Sequence, residues 1–80
     1  MRTKMTIYLN QVERVKEFVE AANKFESDVD ILMGRYIVDA KSILGVLSLD
    51  LSTAIEVQIH SDNPEEVTYF NSVMIPFETI

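Results

Sequence analysis

The sequence predicts an α+β protein, an open-faced β-sandwich in which a four-stranded antiparallel sheet carries three helices on one face. Three observations lead there. Apolar and polar residues alternate in four short segments, the period of half-buried strands. Between them lie segments whose apolar residues recur at spacings of three and four, the period of an amphipathic helix. Because each strand alternates instead of being apolar throughout, the sheet has one wet face and all helices lie on the other. The order is β-α-β-β-α-β-α.

Met5, Ile7 and Leu9 alternate with Thr6 and Tyr8 and predict a first strand of about five to seven residues. Asn10 is placed to cap the helix that follows. In that helix Val12, Val15, Val19, Ala22 and Phe25 form the apolar stripe, widened by Phe18. Charged residues fill the opposite face, and Lys16–Glu20 and Glu20–Lys24 are spaced four apart for local support. Val29, Ile31 and Met33 begin a hairpin that turns at Gly34, and Tyr36 to Ala40 return with β-branched and aromatic residues. By period alone, Ser42 to Leu49 fits a helix or a buried strand; Ser42 as cap and the spacing of Ile43, Val46 and Leu47 favour a short helix. Ile55, Val57 and Ile59 alternate in the last strand. Asn63 then caps a helix with Pro64 in its first position and Glu66 three after the cap. Val67, Phe70, Met74 and Phe77 form its apolar face, and Pro76 limits it.

Composition narrows the functions. Eighty residues make a single domain, 1–80, in which every apolar stripe is needed for the core. The chain has no cysteine, so thiolate metal sites and thiol nucleophiles are excluded. Net charge is −6 and the seven basic residues are scattered, which argues against nucleic acid and against an anionic membrane surface. No apolar stretch approaches a membrane span and the first residues do not read as a signal peptide, so a soluble, cytoplasmic protein is expected. Two glycines and one histidine build neither a phosphate-cradling loop nor a Ser-His-Asp set, and the aspartates lack calcium-loop spacing. No enzyme, metal or cofactor is expected.

The segments "FVEAANKFESDV" and "DAKSILGVLSLDLSTAIEV", in this element order and length, resemble the HPr family, the small phosphocarrier proteins of the bacterial sugar phosphotransferase system. The resemblance runs without a gap from about Phe18 to Val57, and it implies the HPr-like fold. "AKSILGVLSL" is similar to the regulatory-serine region of family members from Gram-positive bacteria. The family carries phosphate on a histidine at the start of the first helix, beside an arginine and the free helix amides that hold the phosphoryl oxygens. Here that stretch reads "YLNQVERVKEF". An ungapped count sets Gln11 at the histidine and Glu13 at the arginine, which resembles the catabolite-repression paralogue of HPr, a regulator and not a carrier. That count also turns Lys4 inward, so a loop shortened by about three residues, with Met5, Ile7 and Leu9 facing the core, is preferred. In both registers Asn10, Gln11 and Glu13 mark a lost active-site loop, and phosphorelay there is excluded: glutamine has no titrating nitrogen and Glu13 repels phosphate.

What remains is the segment after Lys41. Ser42 reads as an ordinary helix cap, and the resemblance adds regulatory phosphorylation, with Lys41 as an electrostatic neighbour. Ile43, Leu44 and Leu47 read as core or, as the resemblance implies, as an exposed patch that docks a protein partner from the phosphotransferase system or a transcriptional regulator. His60 reads as a solvent-facing turn residue crowded by Asp62, Glu65 and Glu66. The alternatives are a small-molecule-binding domain with a pocket lined by Tyr8, Tyr36 or Tyr69, and a self-associating homo-oligomer.

Overall fold

The computed structural model describes residues 2–79. Strand β1 is Lys4–Ile7, helix α1 Val12–Ala22, β2 Val29–Met33, β3 Tyr36–Asp39, α2 Ile43–Leu47, β4 Ile55–Ile59 and α3 Pro64–Met74, followed by a 3-10 turn at Ile75–Phe77. The sheet order is β1-β4-β2-β3, every pair antiparallel. Alternation decides the faces as expected. Met5, Ile7, Val29, Ile31, Ile55, Val57 and Ile59 are buried beneath the helices. Register places Lys4, Gln58, Asp30 and Asp39 in one row across the wet face, and Thr6, Glu56, Leu32 and Ile37 in the next. Lys4 is exposed, as the inward placement of Met5 and Ile7 requires.

Helix α1 buries Val15, Phe18, Val19 and Ala22, and Phe25 follows it into the core. Two expectations change at its start. Gln11, not Asn10, holds the cap position, in extended backbone and without a side-chain cap bond. Val12 is more than half exposed, because the first residue of the helix lies outside the sheet's cover. Phe18 meets Phe77 edge-on at 5.8 Å, and Phe25 meets Phe70 at the same distance, which ties both long helical segments to one core. The hairpin turns at Gly34, whose φ of 58° is open to glycine at little cost, and Met33 opposite Tyr36 leaves a two-residue loop. Helix α2 lies close over β3 because Gly45 has no side chain: a Cβ there would stand 2.9 Å from Val38 Cγ1.

The last helix begins as read, with Asn63 Oδ1 accepting from the Glu65 amide at 3.0 Å. Glu66, however, does not close a capping box. Its carboxylate reaches the loop after α1, accepting from the amides of Glu26 and Ser27, both at 3.1 Å, and from the Ser27 hydroxyl. The Ser27 and Ser61 hydroxyls and the Ser27 amide hold the Glu66 carboxyl down to about 2, against a weaker upward push from burial. A depressed carboxylate stabilises the fold above its unfolded pKa and ceases to as the proton binds. The contribution is therefore complete above about pH 4.5 and disappears as pH falls toward 2. Glu66→Gln is expected to lower Tm at pH 7 and to flatten the acid limb of a Tm-versus-pH curve in that window. Identical acid limbs for both proteins would show that Glu66 is not the latch. The expected ion pairs along α1 are not formed; among the described residues the ion pair is Arg2–Glu78 at 3.0 Å, and His60 Nε2 lies within hydrogen-bond distance of Asp30 Oδ2, at 2.8 Å. Long exposed side chains gain little by closing such pairs.

Candidate docking face

Helix α2 is one and a half turns long and is set by its cap. Ser42, in extended backbone, accepts from the Gly45 amide at 3.2 Å through Oγ, and its hydroxyl lies on the exposed surface. A helix this short has one inward position, and Val46 takes it, fully buried. Ile43, Leu44 and Leu47 are left 39%, 79% and 46% exposed. In the leucine-rich stretch Val46 is therefore core and the other three make a surface patch. Lys41 is placed differently from expectation. Its ammonium donates to Phe25 O at 2.7 Å, and its carbonyl accepts from Asn23 Nδ2 at 3.2 Å. It anchors α2 to the end of α1 and does not lie free beside Ser42, because the carbonyls at a helix C-terminus attract a cation.

The patch runs into a groove of about 310 Å3. Asn10, Gln11 and Val12 form one wall, Leu47 and Leu51 the other, over Leu9 and Val15. The groove thus joins the loop before α1 to the α2 patch. Val12 and Leu51 were not singled out from the sequence; spacing put Val12 in the core stripe, and no local signal marks Leu51. Tyr8, Tyr36 and Tyr69 do not line this groove, which weakens the small-molecule alternative.

The charged residues at the start of α1 have structural roles. Glu13 is exposed in the first turn, where its charge suits the helix dipole. Arg14, the nearby arginine, donates from Nε to Tyr8 O at 2.9 Å and from Nη2 to Thr79 O at 2.8 Å, with its guanidinium 5.4 Å from the centre of the Phe77 ring. His60 is remote from this end. It follows Ile59 at one end of β4, whereas α1 follows Ile7, which pairs with Ile55 at the other. Its Nε2 lies 2.8 Å from Asp30 Oδ2, so it is half-exposed but paired. Among the described residues no group of three His, Cys, Asp or Glu side chains could hold a metal ion, and no helix is long and apolar enough to cross a membrane.

A β1-β4-β2-β3 antiparallel sheet under three helices, with a serine-capped short helix presenting an apolar patch, defines an open-faced α+β sandwich of the phosphocarrier type. Residues 13–74 match the PTS-HPr family, described as the PTS HPr component phosphorylation site, and the chain belongs to that family. The match begins after Asn10 and Gln11, so the loop with no histidine lies outside it. The HPr-like protein Crh of Bacillus subtilis (strain 168) is 43% identical over 49 residues, 61% of this chain and 58% of that protein. The aligned segment thus spans little more than half of that relative. Among solved structures, HPr from Thermoanaerobacter tengcongensis shares the fold with a TM-score of 0.70 at 24% identity, covering 92% of this chain and 91% of that one. Crh of Bacillus subtilis, described as a swapped dimer, has a TM-score of 0.59 at 32% identity, covering 91% and 83%.

Proposed function

We propose that this member of the HPr family is a regulatory protein-binding module that carries no phosphate on a histidine at α1. The observation that carries the reading is the continuity of the exposed Ile43, Leu44 and Leu47 patch with the groove beside Gln11. A partner seated on α2 meets the position where a carrier would present its histidine, and finds glutamine, an acidic residue and an apolar cleft. The likeness to Crh, a protein named as HPr-like, supports a regulator over a carrier. The partner class is a protein of the sugar phosphotransferase system or a transcriptional regulator, met in the cytoplasm. No catalysis and no cofactor are involved.

Ser42 is the switch in this reading. Its hydroxyl is exposed at the N-terminus of α2, and a phosphate there would add a dianion at the rim of the apolar patch. Lys41 supports the helix from behind and is not the phosphate's counter-ion, because its ammonium is held by Phe25 O. Incubation with ATP and the family's serine kinase is expected to leave acid-stable phosphate on Ser42. Phosphoenolpyruvate with the general phosphotransferase enzyme is expected to leave no acid-labile phosphate, and its appearance on His60 would overturn the exclusion of carrier activity.

The docking reading is tested with Leu44→Asp, Leu47→Asp in calorimetric titrations against candidate partners. Loss of two apolar contacts at the centre of a patch is expected to weaken binding about 100-fold. A folded double variant that binds a partner with unchanged affinity removes α2 as the docking face.

A further inference from the structure

The sheet has a second unpartnered surface, on the side away from the groove of α1 and α2. Proteins usually guard an edge strand with lysine, proline or a bulge, because its free backbone groups will pair with another chain. The edge strand β1 carries Lys4. The other edge, β3, reads Tyr-Ile-Val-Asp, with Tyr36 and Ile37 72% and 70% exposed. Backbone parity says which groups of β3 are available. Ala40 donates its amide to Val29 O at 2.9 Å, and hydrogen-bonded pairs alternate along an antiparallel ladder. Val38 and Tyr36 therefore exchange bonds with β2, whereas Ile37 turns its N–H and C=O outward, away from the sheet.

We infer that β3 is a self-association edge, at which two copies of the chain pair β3 to β3, antiparallel, about a two-fold axis through Ile37. Charge selects this register. With Ile37 opposite Ile37, Tyr36 stands opposite Val38 and Arg35 opposite Asp39, each pair occurring twice by symmetry. The segment Arg35–Tyr36–Ile37–Val38–Asp39 is thus complementary to its own reverse. The slip that sets Ile37 against Asp39 would put Arg35 against Lys41 and leave each carboxylate facing an isoleucine. Arg35 forms no ion pair among the described residues, so it is available for this contact. Asp39 uses Oδ1 to accept from the Lys41 amide at 2.9 Å, which holds the carboxylate in place while Oδ2 remains.

The pairing would also set exposed aliphatic side chains side by side. Ile37 lies beside Leu32 on the wet face, and joining two copies makes a row of Leu32, Ile37, Ile37 and Leu32 across an eight-stranded sheet. The contact is short, well below the roughly 1,200–2,000 Å2 of a stable interface, so the dimer is weak and quickly reversible. It does not depend on the docking face, since α2 lies against Val38 on the helical side of β3 whereas Ile37 is on the wet face. The Asp39 carbonyl, which accepts from the Ser42 amide at 3.1 Å, limits the new ladder to the bonds of Ile37.

Sedimentation equilibrium of the full chain, from micromolar concentration up to about 1 mM, tests this. The weight-average mass is expected to rise from 9.2 kDa toward twice that value. Arg35→Asp and Asp39→Arg should each stay monomeric, since each places like charges opposite one another. An equimolar mixture of the two should associate again, because opposite charges return at both ends. Circular dichroism checks that both are folded, and Ile37→Lys, at an exposed position, supplies a third monomeric variant. A chain that stays monomeric throughout overturns the inference. So does a dimer indifferent to all three substitutions, one abolished by Leu44→Asp, or one that survives hours of dilution, as a strand-exchanged dimer would.

Discussion

Phe18→Ala is expected to cost about 3–5 kcal/mol and to shift the urea midpoint strongly downward at little changed slope. The ring is fully buried and packs edge-on against Phe77, whose ring also lies 5.4 Å from the Arg14 guanidinium. Truncation removes the aromatic contact and leaves a cavity between α1 and the 3-10 turn. Sheet residues such as Ile7 and Val57 cannot fill it, because they are locked in register on their strands. At roughly 0.05–0.15 kcal/mol per residue, a chain of this length has about 4–12 kcal/mol in all, so the variant is expected to be marginal or unfolded at 37 °C. Phe18→Leu, which keeps most of the volume, is expected to cost well under half as much. A loss below about 1 kcal/mol for the alanine variant would show that the core is not centred on this ring.

Arg14→Ala carries the second large effect, about 2–3 kcal/mol, because a charged donor is removed from backbone carbonyls that then lack it. Arg14 binds the carbonyl of Tyr8 after β1 and that of Thr79 at the C-terminal end, and lies across Phe77. A cation in the first turn of a helix opposes the helix dipole, so its presence there is explained by these carbonyls and not by α1 itself. The loss has a local signature. The Tyr8 amide donates to Phe77 O at 2.8 Å, and its hydrogen exchange is expected to accelerate while amides of the β2–β3 hairpin keep their protection. Arg14→Lys is expected to recover only part, since a single ammonium cannot span carbonyls on two segments as the planar fork does. Uniform acceleration across the sheet would mean global destabilisation and not the release of a clamp.

Much of the fold was legible because its signals are local. Alternation at Met5–Ile7, Val29–Ile31 and Ile55–Ile59 names the buried faces of β1, β2 and β4, and one residue of slip would turn all of these side chains to water. Ser42, Gly34 and the Asn63–Pro64 pair act on backbone within three residues of themselves, so their roles follow from residue type and position. The candidate site was half legible. The serine and the leucines were found, and the family resemblance indicated which leucines face out. Periodicity alone could not, because a helix as short as α2 fits several apolar stripes equally well.

The sequence by itself determined the element order, the inward faces of β1, β2 and β4, the start of α2 and α3 and the absence of a histidine at α1. Each of these is a property of neighbouring residues. Only the tertiary structure decided which charged side chains hold the molecule together and which apolar ones remain uncovered. Glu66 binds Ser27 across 39 positions and Arg14 binds Thr79 across 65, while Lys41 turns from Ser42 to Phe25. Val12 lies at a groove instead of in the core, and Ile37 lies at a bare edge. The physical reason is common to all of them. A strand or helix period records which side of an element is apolar, whereas the partner of a carboxylate, a guanidinium or an exposed leucine depends on how distant elements come to rest against each other.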